Sequence, residues 1–492
     1  MTVEQWLNND ELAITIWKNK YRFEDESLDD WFKRVSGGNE IVEEQIRAKK
    51  FIFGGRILAN RGLSDKNRKI TYSNCYVVAP PEDNLESIFE SGAKLARTFI
   101  YGGGCGIDIS NLRPSGAKVN NAAKTTSGAV SFMDFYSYIT GLIGQSGRRG
   151  ALMISISCDH PDLEEFIEIK SDLDKVTKAN ISVRVSDKFM EAVIKGETLI
   201  LKFVTDTGET ITKEIEAYPI FRKLAQMNWD YAEPGILFWD RITSWNLLSN
   251  NKEFSYAGVN PCAEEPLPAG GSCLLGSINL AEFVTKERKL DLNSLKETIQ
   301  VAVIALNEVL DEGLPLHPLQ EQRDSVAEWR QIGLGVMGLA DMLIKLRVKY
   351  GSTTSRSILE SIGHELIMTA LETSSMLAAN YGPYPKFNRD CVIQTPFFKN
   401  LDSGDMNDLR FQSLHDVICK YGLRNSQLLT CAPTGSIATM LGVSTGCEPI
   451  FATSYTRKTE SLVNEEKYYK VYTPIIKKLI DEGFSEEALP EY

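Results

Sequence analysis

The stretch from Asn260 to Asn279 holds the residues whose types and spacing are most typical of chemistry. It opens with Asn260-Pro-Cys-Ala-Glu264 and adds Cys273 among prolines and glycines, which exclude a regular helix. In an extended or turn conformation, residues two apart point the same way, so Asn260, Cys262 and Glu264 can line one face. A thiol, a proton acceptor and a neutral hydrogen-bonding group on one face form a small reactive centre.

The histidine content helps to decide which chemistry this thiol performs. A hydrolytic thiol needs a histidine nearby in space, and the chain has only four histidines, all in poor sequence contexts. We therefore expect redox or radical chemistry rather than acyl transfer. The nine cysteines include no C-x-x-C pair, so we expect neither a disulfide scaffold nor a structural zinc site, and we predict no metal ligands.

Three glycine-rich stretches mark places where the backbone can approach a ligand closely. Tyr101–Asp108 is equally typical of such a site and of a tight turn between a helix and a strand. Gly141–Gly150 combines glycines with Arg148 and Arg149, which favours contact with a phosphate or a nucleobase. Gly333–Gly338 matches G-x-G-x-x-G, but no convincing strand precedes it and residues 351–358 carry no acid, so we interpret it as close helix packing.

A fourth segment, Ala432–Ala438, follows the apolar run Leu428–Cys431. The pattern predicts a strand, then small hydroxyl residues around a glycine, then a helix start. Free backbone N–H groups at such a start point to one place and favour an anion. The sequence predicts either a phosphate site or an ordinary N-cap here.

These residues must be positioned by a chain of 492 residues with 43% hydrophobic residues and a formal charge of −12. This composition is typical of a globular protein, and the acidic balance argues against a nucleic-acid-coating protein. The N-terminus lacks a secretory signal, and no apolar run approaches the roughly 20 residues that span a bilayer. We expect a cytoplasmic protein that binds neither nucleic acid nor membrane.

The pattern of elements changes near residue 70. For residues 1 to about 68 the sequence predicts helices, including a segment at 41–53. After this region, short β-rich runs alternate with amphipathic helices. This alternation predicts an α/β fold with a barrel or large parallel sheets, and a helical N-terminal cap. The predicted strands are Ile70–Val78, Ala151–Ser157, Ile181–Val185, Thr198–Val204 and Gln427–Cys431. The predicted helices include Asn84–Phe99, Leu292–Leu310 and Ser357–Ala379.

Four motifs together resemble the catalytic subunit of ribonucleotide reductase, in the family's order and across residues 50–470. They are Ser73–Cys75, Asn260–Glu264, Ser272–Leu280 and Ala432–Ser436. The resemblance implies a ten-stranded α/β barrel. It divides the chain into a helical region at 1–68 and a catalytic domain at 69–492, with a finger loop around 258–280.

The resemblance also implies roles for five residues. Cys262 would carry a transient thiyl radical that abstracts the 3′ hydrogen of the substrate ribose. Glu264 would take the 3′-hydroxyl proton, and Asn260 would hydrogen-bond the substrate hydroxyls. Cys75 and Cys273 would supply two electrons and a proton as the 2′-hydroxyl leaves as water, and would end as a disulfide.

Nucleotide-binding positions follow from the same resemblance. The positions that match substrate and phosphate contacts are Asn74, Gly104, Pro433, Thr434, Gly435, Ser436 and Ile437. The positions that match contacts to a nucleotide effector (a dNTP or ATP) at a dimer interface are Asp83, Arg113 and Val119. Gln145–Gly150 matches the mobile loop between effector and substrate. Within this loop, Arg149 is the candidate residue for contact with the substrate. The alternative for Asp83 and Arg113 is a pair of surface charges without a role.

The radical source depends on the class of reductase. The 11-residue spacing of Cys262 and Cys273 and the loop around them resemble the adenosylcobalamin-dependent class II enzymes. In that case, homolysis of the cobalt–carbon bond generates the radical. The alternative is a class I large subunit that needs a separate radical-generating subunit.

Partners follow from the family pattern. We expect a ribonucleoside diphosphate or triphosphate substrate, a thioredoxin- or glutaredoxin-like reductant and a homodimer. The chain starts without an ATP cone and stops before the family's last barrel strand and C-terminal cysteine pair. A further alternative is therefore a nucleotide-binding piece of a split reductase, inactive until a C-terminal complementing polypeptide joins it.

Overall fold

The structure is a computed structural model. It describes residues 1–64, 68–119, 123–143, 150–402, 409–450, 452–459 and 467–485.

Ten of the α-helices in the described chain begin at a residue whose side chain caps the first turn. In α6, for example, the Asn84 side chain accepts a hydrogen bond from the Ser87 N–H, and in α12 the Asp291 side chain accepts one from Ser294. In chain order, helices α1 to α20 are Val3–Trp6, Glu11–Ile16, Leu28–Val35, Glu40–Arg47, Gly55–Asn60, Leu85–Ile100, Phe132–Leu142, Leu163–Glu168, Asp187–Lys195, Ala217–Tyr231, Trp239–Ser244, Leu292–Gly313, Gln320–Trp329, Leu339–Leu346, Thr353–Tyr381, Arg389–Ile393, Pro396–Lys399, Leu409–Tyr421, Gly435–Leu441 and Pro474–Asp481.

The remaining regular elements are short. A π-helix spans Trp17–Tyr21, and 3-10 helices span Ile169–Ser171, Leu280–Phe283 and Leu314–Leu316. In chain order, strands β1 to β15 are Phe51–Phe53, Cys75–Val77, Gly104–Asp108, Leu152–Ser157, Asn180–Val185, Thr198–Val204, Thr210–Glu216, Gly235–Phe238, Gly258–Val259, Pro266–Leu267, Ser272–Cys273, Leu275–Asn279, Gly333–Met337, Ser454–Thr459 and Lys467–Tyr472.

The largest sheet has six strands in the order β11-β2-β3-β4-β5-β8. Strands β2, β3, β4, β5 and β8 are parallel, and helices connect them, whereas β11 runs antiparallel to β2 at one edge. The predicted α/β class is therefore confirmed, with the larger sheet curled as half of a barrel. A second sheet has the order β1-β12-β13, with β12 and β13 parallel. Among the described strands no ladder joins the two sheets, so the closed ten-stranded barrel stays a prediction.

Three sequence-based interpretations are wrong. The run Gln427–Cys431, predicted to be a strand, forms only an isolated bridge between Leu429 and Leu334 of β13, because no further pairing extends it. The segment predicted to be helical through residue 53 ends its helix at Arg47, and Phe51–Phe53 is a strand that pairs with β12. The glycine stretch that we interpreted as helix packing forms β13 instead. A Cβ at Gly335 would lie 2.4 Å from the Thr430 carbonyl oxygen, so glycine is needed because the neighbouring segment approaches the strand backbone.

The helices and sheets pack around two large hydrophobic cores. The N-terminal helices, with Trp6, Trp31 and Phe32, share one core with α12 and the three-stranded sheet. A second core lies beneath the six-stranded sheet and includes Leu95 and Phe166 from the surrounding helices. Within the described residues, no helix has both the length and the apolar character that crossing a membrane requires.

Strands β9 and β10 form a short antiparallel hairpin that lies against β3. The approach is close, since a Cβ at Gly106 would lie 1.8 Å from the Val259 carbonyl oxygen. A Cβ at Gly104 would lie 3.0 Å from Cγ of Pro261, which follows β9. Glycines at the start and in the middle of β3 therefore allow the hairpin backbone to rest on the sheet.

Replacing Gly106 with Ala tests this approach. We expect the Val259 clash to lower the free energy of unfolding by about 1–3 kcal/mol or more, as overpacking does. Gly363→Ala in α15 is the matched control, because nothing lies within 4 Å of its added Cβ. Alanine is the better helix former, so the control should be neutral or up to about 1 kcal/mol more stable. Chemical denaturation measures both, and equal stability of Gly106→Ala and the parent would contradict the packing.

Candidate active site

Residues 260–265 form the loop of the β9–β10 hairpin, with Cys262 at its tip. The Ala263 N–H donates to the Asn260 carbonyl oxygen at 3.0 Å, and Ala263 has a positive φ of 67°. From β5, the Asn180 side chain donates to the Pro261 carbonyl oxygen at 3.0 Å. The loop is a tight turn tied to the sheet, and it leaves Cys262 exposed.

Asn260 fixes the polar groups of this loop. Its fully buried amide donates to Glu264 Oε2 at 2.6 Å and accepts from the Glu265 N–H at 3.0 Å. The sequence placed Asn260, Cys262 and Glu264 together through residue alternation. The structure brings Asn260 and Glu264 into contact through the turn instead, because the left-handed Ala263 reverses the chain between them.

The ionisation of Cys262 favours the protonated thiol. Its side chain reaches solvent on one side, but protein atoms on the other sides, together with the Glu264 carboxylate, raise the pKa of Cys262 to about 12. Burial also raises the pKa of Glu264, against the opposing effect of its hydrogen bond from Asn260. At neutral pH, Cys262 therefore holds an S–H bond, which suits transfer of a hydrogen atom better than nucleophilic attack by a thiolate.

Cys75 and Cys273 are brought together from positions 198 residues apart in the sequence. They lie directly opposite each other on β2 and β11. Cross-strand neighbours of this kind have Cβ atoms about 4.5–5.5 Å apart, so a small adjustment permits a disulfide. Cys273 is fully buried and Cys75 only partly, and burial followed by a hydrogen bond with Cys75 raises the pKa of Cys273 well above its ordinary value.

Two of the predicted substrate positions contact each other, and one of them lies against the hairpin. Asn74 precedes Cys75, and its side-chain oxygen accepts a hydrogen bond from the Arg56 N–H at 3.4 Å. The Gly104 N–H donates to the Asn74 carbonyl oxygen at 2.9 Å. Gly104 is buried beneath Pro261, so its immediate contact is the hairpin loop.

The segment from Pro433 to Ile437 leads into α19. Thr434 is its N-cap with a φ of 54°, and its hydroxyl accepts a hydrogen bond from the Gly446 N–H at 2.8 Å rather than capping the helix. The Ser436 hydroxyl lies 2.6 Å from the Tyr21 hydroxyl. Pro433 and Gly435 are exposed, whereas Ile437 is buried. Both hydroxyls predicted to face a phosphate thus already have protein partners.

The predicted effector residues Asp83 and Arg113 bind each other. The Arg113 N–H and Nε donate to the two Asp83 carboxylate oxygens at 2.9 and 2.7 Å, and its Nη2 reaches Asp206 at 3.2 Å. An anion that uses this guanidinium would have to compete with two carboxylates. The Val119 N–H bonds to the Lys124 carbonyl oxygen at 2.9 Å, and Arg149 lies outside the described residues.

Sequence reasoning missed three residues of this site. Tyr21 contacts Ser436 across 415 positions, and no local pattern signals such a contact. The Thr430 hydroxyl donates to the Glu264 carbonyl oxygen at 3.1 Å. Glu265 stood beside the motif, but only the structure reveals that it is 3% exposed. In the described part of the chain, no group of three or more His, Cys, Asp or Glu side chains is arranged to hold a metal ion.

Glu265 is an unusual carboxyl group. Neither of its oxygens has a hydrogen-bond partner at ordinary distance in the described structure, and the nearest group that acts on it is the Cys273 thiol. Burial raises the pKa of Glu265 to about 8; the Cys273 thiol opposes this shift, and the charge of Glu264 adds to it. Glu265 is therefore mostly protonated at neutral pH.

Comparison with known proteins adds independent findings. Residues 73–491 match the family model described as ribonucleotide reductase, barrel domain. A Thermoplasma acidophilum protein named vitamin B12-dependent ribonucleoside-diphosphate reductase is 33% identical over 429 residues, which are 86% of this chain and 51% of the relative. A Mycobacterium tuberculosis protein of the same name is 32% identical over 387 residues, or 78% of this chain and 51% of the relative.

A third relative has a different kind of name. A Cryptosporidium parvum protein named ribonucleoside-diphosphate reductase large chain is 28% identical over 458 residues, or 85% of this chain and 55% of the relative. The chain thus spans about half the length of the curated relatives that it matches.

Glu265→Gln tests the buried carboxyl through pH. The folded-state pKa of about 8 lies above the ordinary 4.5, so the stability that comes from the bound proton is complete below pH 4.5 and is lost as the pH rises through 8. Glutamine cannot ionise. As the pH rises from 5 to 8, the free energy of unfolding of the variant should therefore increase relative to that of the parent. The increase should be roughly 1.4 kcal/mol per pH unit between the two pKa values.

Denaturant titrations at several pH values measure this trend. The matched control is Glu360→Gln at an exposed position of α15, which should show no such gain. A constant difference between Glu265→Gln and the parent across this pH range would contradict the raised pKa.

Proposed function

The chain belongs to the ribonucleotide reductase family, and we propose that it carries the thiyl-radical reduction of ribonucleotides to 2′-deoxyribonucleotides. The observation that carries the proposal is the exposed thiol of Cys262 at the tip of a tethered hairpin whose loop also carries Glu264. The products supply DNA synthesis. We place the reaction in the cytoplasm, where dithiol reductants keep thiols reduced.

The first step in this proposal is hydrogen-atom transfer. Cys262, as a thiyl radical, takes the 3′ hydrogen atom of the ribose and later returns one. Glu264 accepts the 3′-hydroxyl proton, and burial, which raises its pKa, makes its carboxylate a stronger proton acceptor. The Asn260 amide holds Glu264 Oε2 at 2.6 Å, so it orients the base and lies where the substrate hydroxyls would bind.

The second step is reduction. Cys75 and Cys273 give two electrons and two protons to the substrate, whose 2′-hydroxyl leaves as water and is replaced by hydrogen, and the two sulfurs end as a disulfide. Their opposition on β2 and β11 supports this role, because the disulfide requires little movement. A thioredoxin- or glutaredoxin-like dithiol protein then reduces the pair, and the partly exposed Cys75 is the sulfur that such a reductant can reach.

Nucleotide binding is proposed at two places. Asn74, Gly104 and the residues from Pro433 to Ile437 bind the substrate and its phosphates, which is supported by the exposed backbone at Gly435. A dNTP or ATP effector binds near Asp83, Arg113 and Val119 at a homodimer interface, with Arg149 carrying the signal to the substrate. The Asp83–Arg113 ion pair would rearrange on effector binding.

Adenosylcobalamin is the cofactor that we propose, because two relatives are named vitamin B12-dependent. The site fits a bulky group, since Cys262 is open on its solvent side. Trp239 and Ile242 are partly buried apolar side chains that pack against the same small cluster as Ala263, the residue after Cys262, and they would help to hold it. When bound, the cofactor supplies the radical that removes the hydrogen atom from Cys262.

A second candidate keeps the same reduction but takes the radical from a separate subunit. The Cryptosporidium parvum relative, named as a large chain, favours this alternative. The two are separated by incubating the protein with adenosylcobalamin, a ribonucleotide and dithiothreitol without any partner protein. Deoxyribonucleotide formation supports the cobalamin-dependent proposal. Activity that appears only when a radical-generating subunit is added contradicts it.

Cys262→Ser should abolish deoxyribonucleotide formation, because a hydroxyl gives up its hydrogen atom far less readily than a thiol. Binding of the ribonucleotide should change by less than about threefold, since that corresponds to under roughly 1 kcal/mol. Product chromatography and equilibrium binding measure the two effects. A comparable loss of binding would mean that Cys262 is structural.

The double variant with Cys75→Ser and Cys273→Ser should lose normal product formation, because no dithiol remains to reduce the substrate. The parent should form the disulfide once per turnover, which peptide mapping after a single turnover detects. Cys391→Ser combined with Cys419→Ser is the control, since these thiols lie on α16 and α18, which carry none of the proposed site residues, and both should be dispensable. Sustained turnover by the Cys75–Cys273 double variant would show that the reducing pair is misassigned.

A further inference from the structure

A second pair of cysteines lies close together outside the reducing pair. The sulfurs of Cys431 and Cys447 are 3.2 Å apart, with Cys431 donating its S–H to Cys447. All nine cysteines are within the described residues, and only Cys262, Cys431 and Cys447 are exposed. An exposed thiol pair fills no core, so close packing does not explain it.

The two chain segments that carry Cys431 and Cys447 are both anchored to the rest of the fold. On one side, the Thr430 N–H donates to the Leu334 carbonyl oxygen at 3.1 Å, which ties the chain before Cys431 to strand β13. On the other, the Tyr350 hydroxyl donates to the Cys447 carbonyl oxygen at 2.6 Å, and the Ser444 N–H donates to Asp341 at 2.7 Å. The two sulfurs are therefore held in proximity by the surrounding fold.

The pair encloses a functional segment and borders the site. Pro433 to Ile437 and helix α19 lie between the two cysteines. Beside Cys431, the Thr430 hydroxyl donates to the Glu264 carbonyl oxygen, and on its other side Ala432 packs in the cluster that holds Cys273. A covalent bond between Cys431 and Cys447 would close a loop around the segment that we propose to bind substrate.

We propose that Cys431 and Cys447 form a second reversible dithiol–disulfide couple, separate from Cys75 and Cys273, whose oxidation constrains the segment between them. The oxidant is a low-molecular-weight disulfide such as glutathione disulfide. The couple rests on the geometry of these residues alone. Only its consequence for substrate binding rests on the proposed function.

The surroundings of the two sulfurs give the order of the exchange. Burial on its inner side, followed by the hydrogen bond with Cys447, raises the pKa of Cys431 to about 12, so Cys431 retains its proton. Cys447 therefore attacks the external disulfide first and releases the first thiolate.

Cys431 then attacks the Cys447 sulfur, and the second external thiolate leaves. The two protons of the cysteine thiols go to the two leaving thiolates. One protein disulfide forms, and one external disulfide is reduced to two thiols, so atoms and electrons balance.

The test equilibrates the protein with glutathione buffers from reducing to oxidising, followed by acid quenching, alkylation and peptide mapping. We expect a Cys431–Cys447 linkage with loss of two alkylatable thiols, restored by dithiothreitol. The linkage should form equally in the variant with Cys75→Ser and Cys273→Ser, which separates it from the proposed reductase chemistry. Amide hydrogen exchange across 433–446 should slow in the oxidised form.

Single variants test the order of attack. In Cys431→Ser, Cys447 should be trapped as a mixed disulfide with glutathione, whereas in Cys447→Ser the thiol of Cys431 should be modified much more slowly. Cys419→Ser is the control and should leave the linkage intact, because Cys419 lies elsewhere on α18 beside His415. Cysteines 431 and 447 that stay free or separately glutathionylated in the most oxidising buffer would overturn the proposal.

Discussion

The contact between strand β3 and the β9–β10 hairpin is the constraint on which the rest of the site depends. The backbone of Val259 lies where a Cβ of residue 106 would be, so the hairpin rests directly on the sheet. Hydrogen bonds from Asn180 and Thr430 then tie the loop on two sides. A short, exposed loop would otherwise be free to move, and Cys262 would lack a fixed position relative to Glu264 and to the Cys75–Cys273 pair.

Burial around this hairpin has a common electrostatic effect. It raises the pKa of Cys262, Glu264, Glu265 and Cys273, because a charge in each place would lack solvation. In the described chain neither oxygen of Glu265 has a hydrogen-bond partner, and Glu264 Oε2 accepts its hydrogen bond from the neutral Asn260 amide. The two thiols and Glu265 therefore keep their protons at neutral pH, whereas Glu264 remains available as a proton acceptor. Such a site suits radical hydrogen transfer and proton exchange more than acyl transfer.

The sequence predicted the fold class and the family better than the contacts. The α/β class and the ribonucleotide reductase family are confirmed, because they depend on local residue types and on alternation along the chain. The predictions for Phe51–Phe53 and Gly333–Met337 are wrong, since short apolar or glycine-rich runs become strands only when a distant partner pairs with them. The contacts of Tyr21 with Ser436 and of Cys431 with Cys447 are tertiary, and no spacing rule announces them.

The most direct test of the account asks where the unpaired electron resides. The protein would be labelled with β-deuterated cysteine, mixed with adenosylcobalamin and a ribonucleotide, frozen within milliseconds and examined by electron paramagnetic resonance. The account predicts a radical signal whose hyperfine structure narrows on cysteine deuteration and which disappears in Cys262→Ser. A signal that is unchanged by the label, or that persists without the Cys262 sulfur, would contradict a radical centred at the hairpin tip.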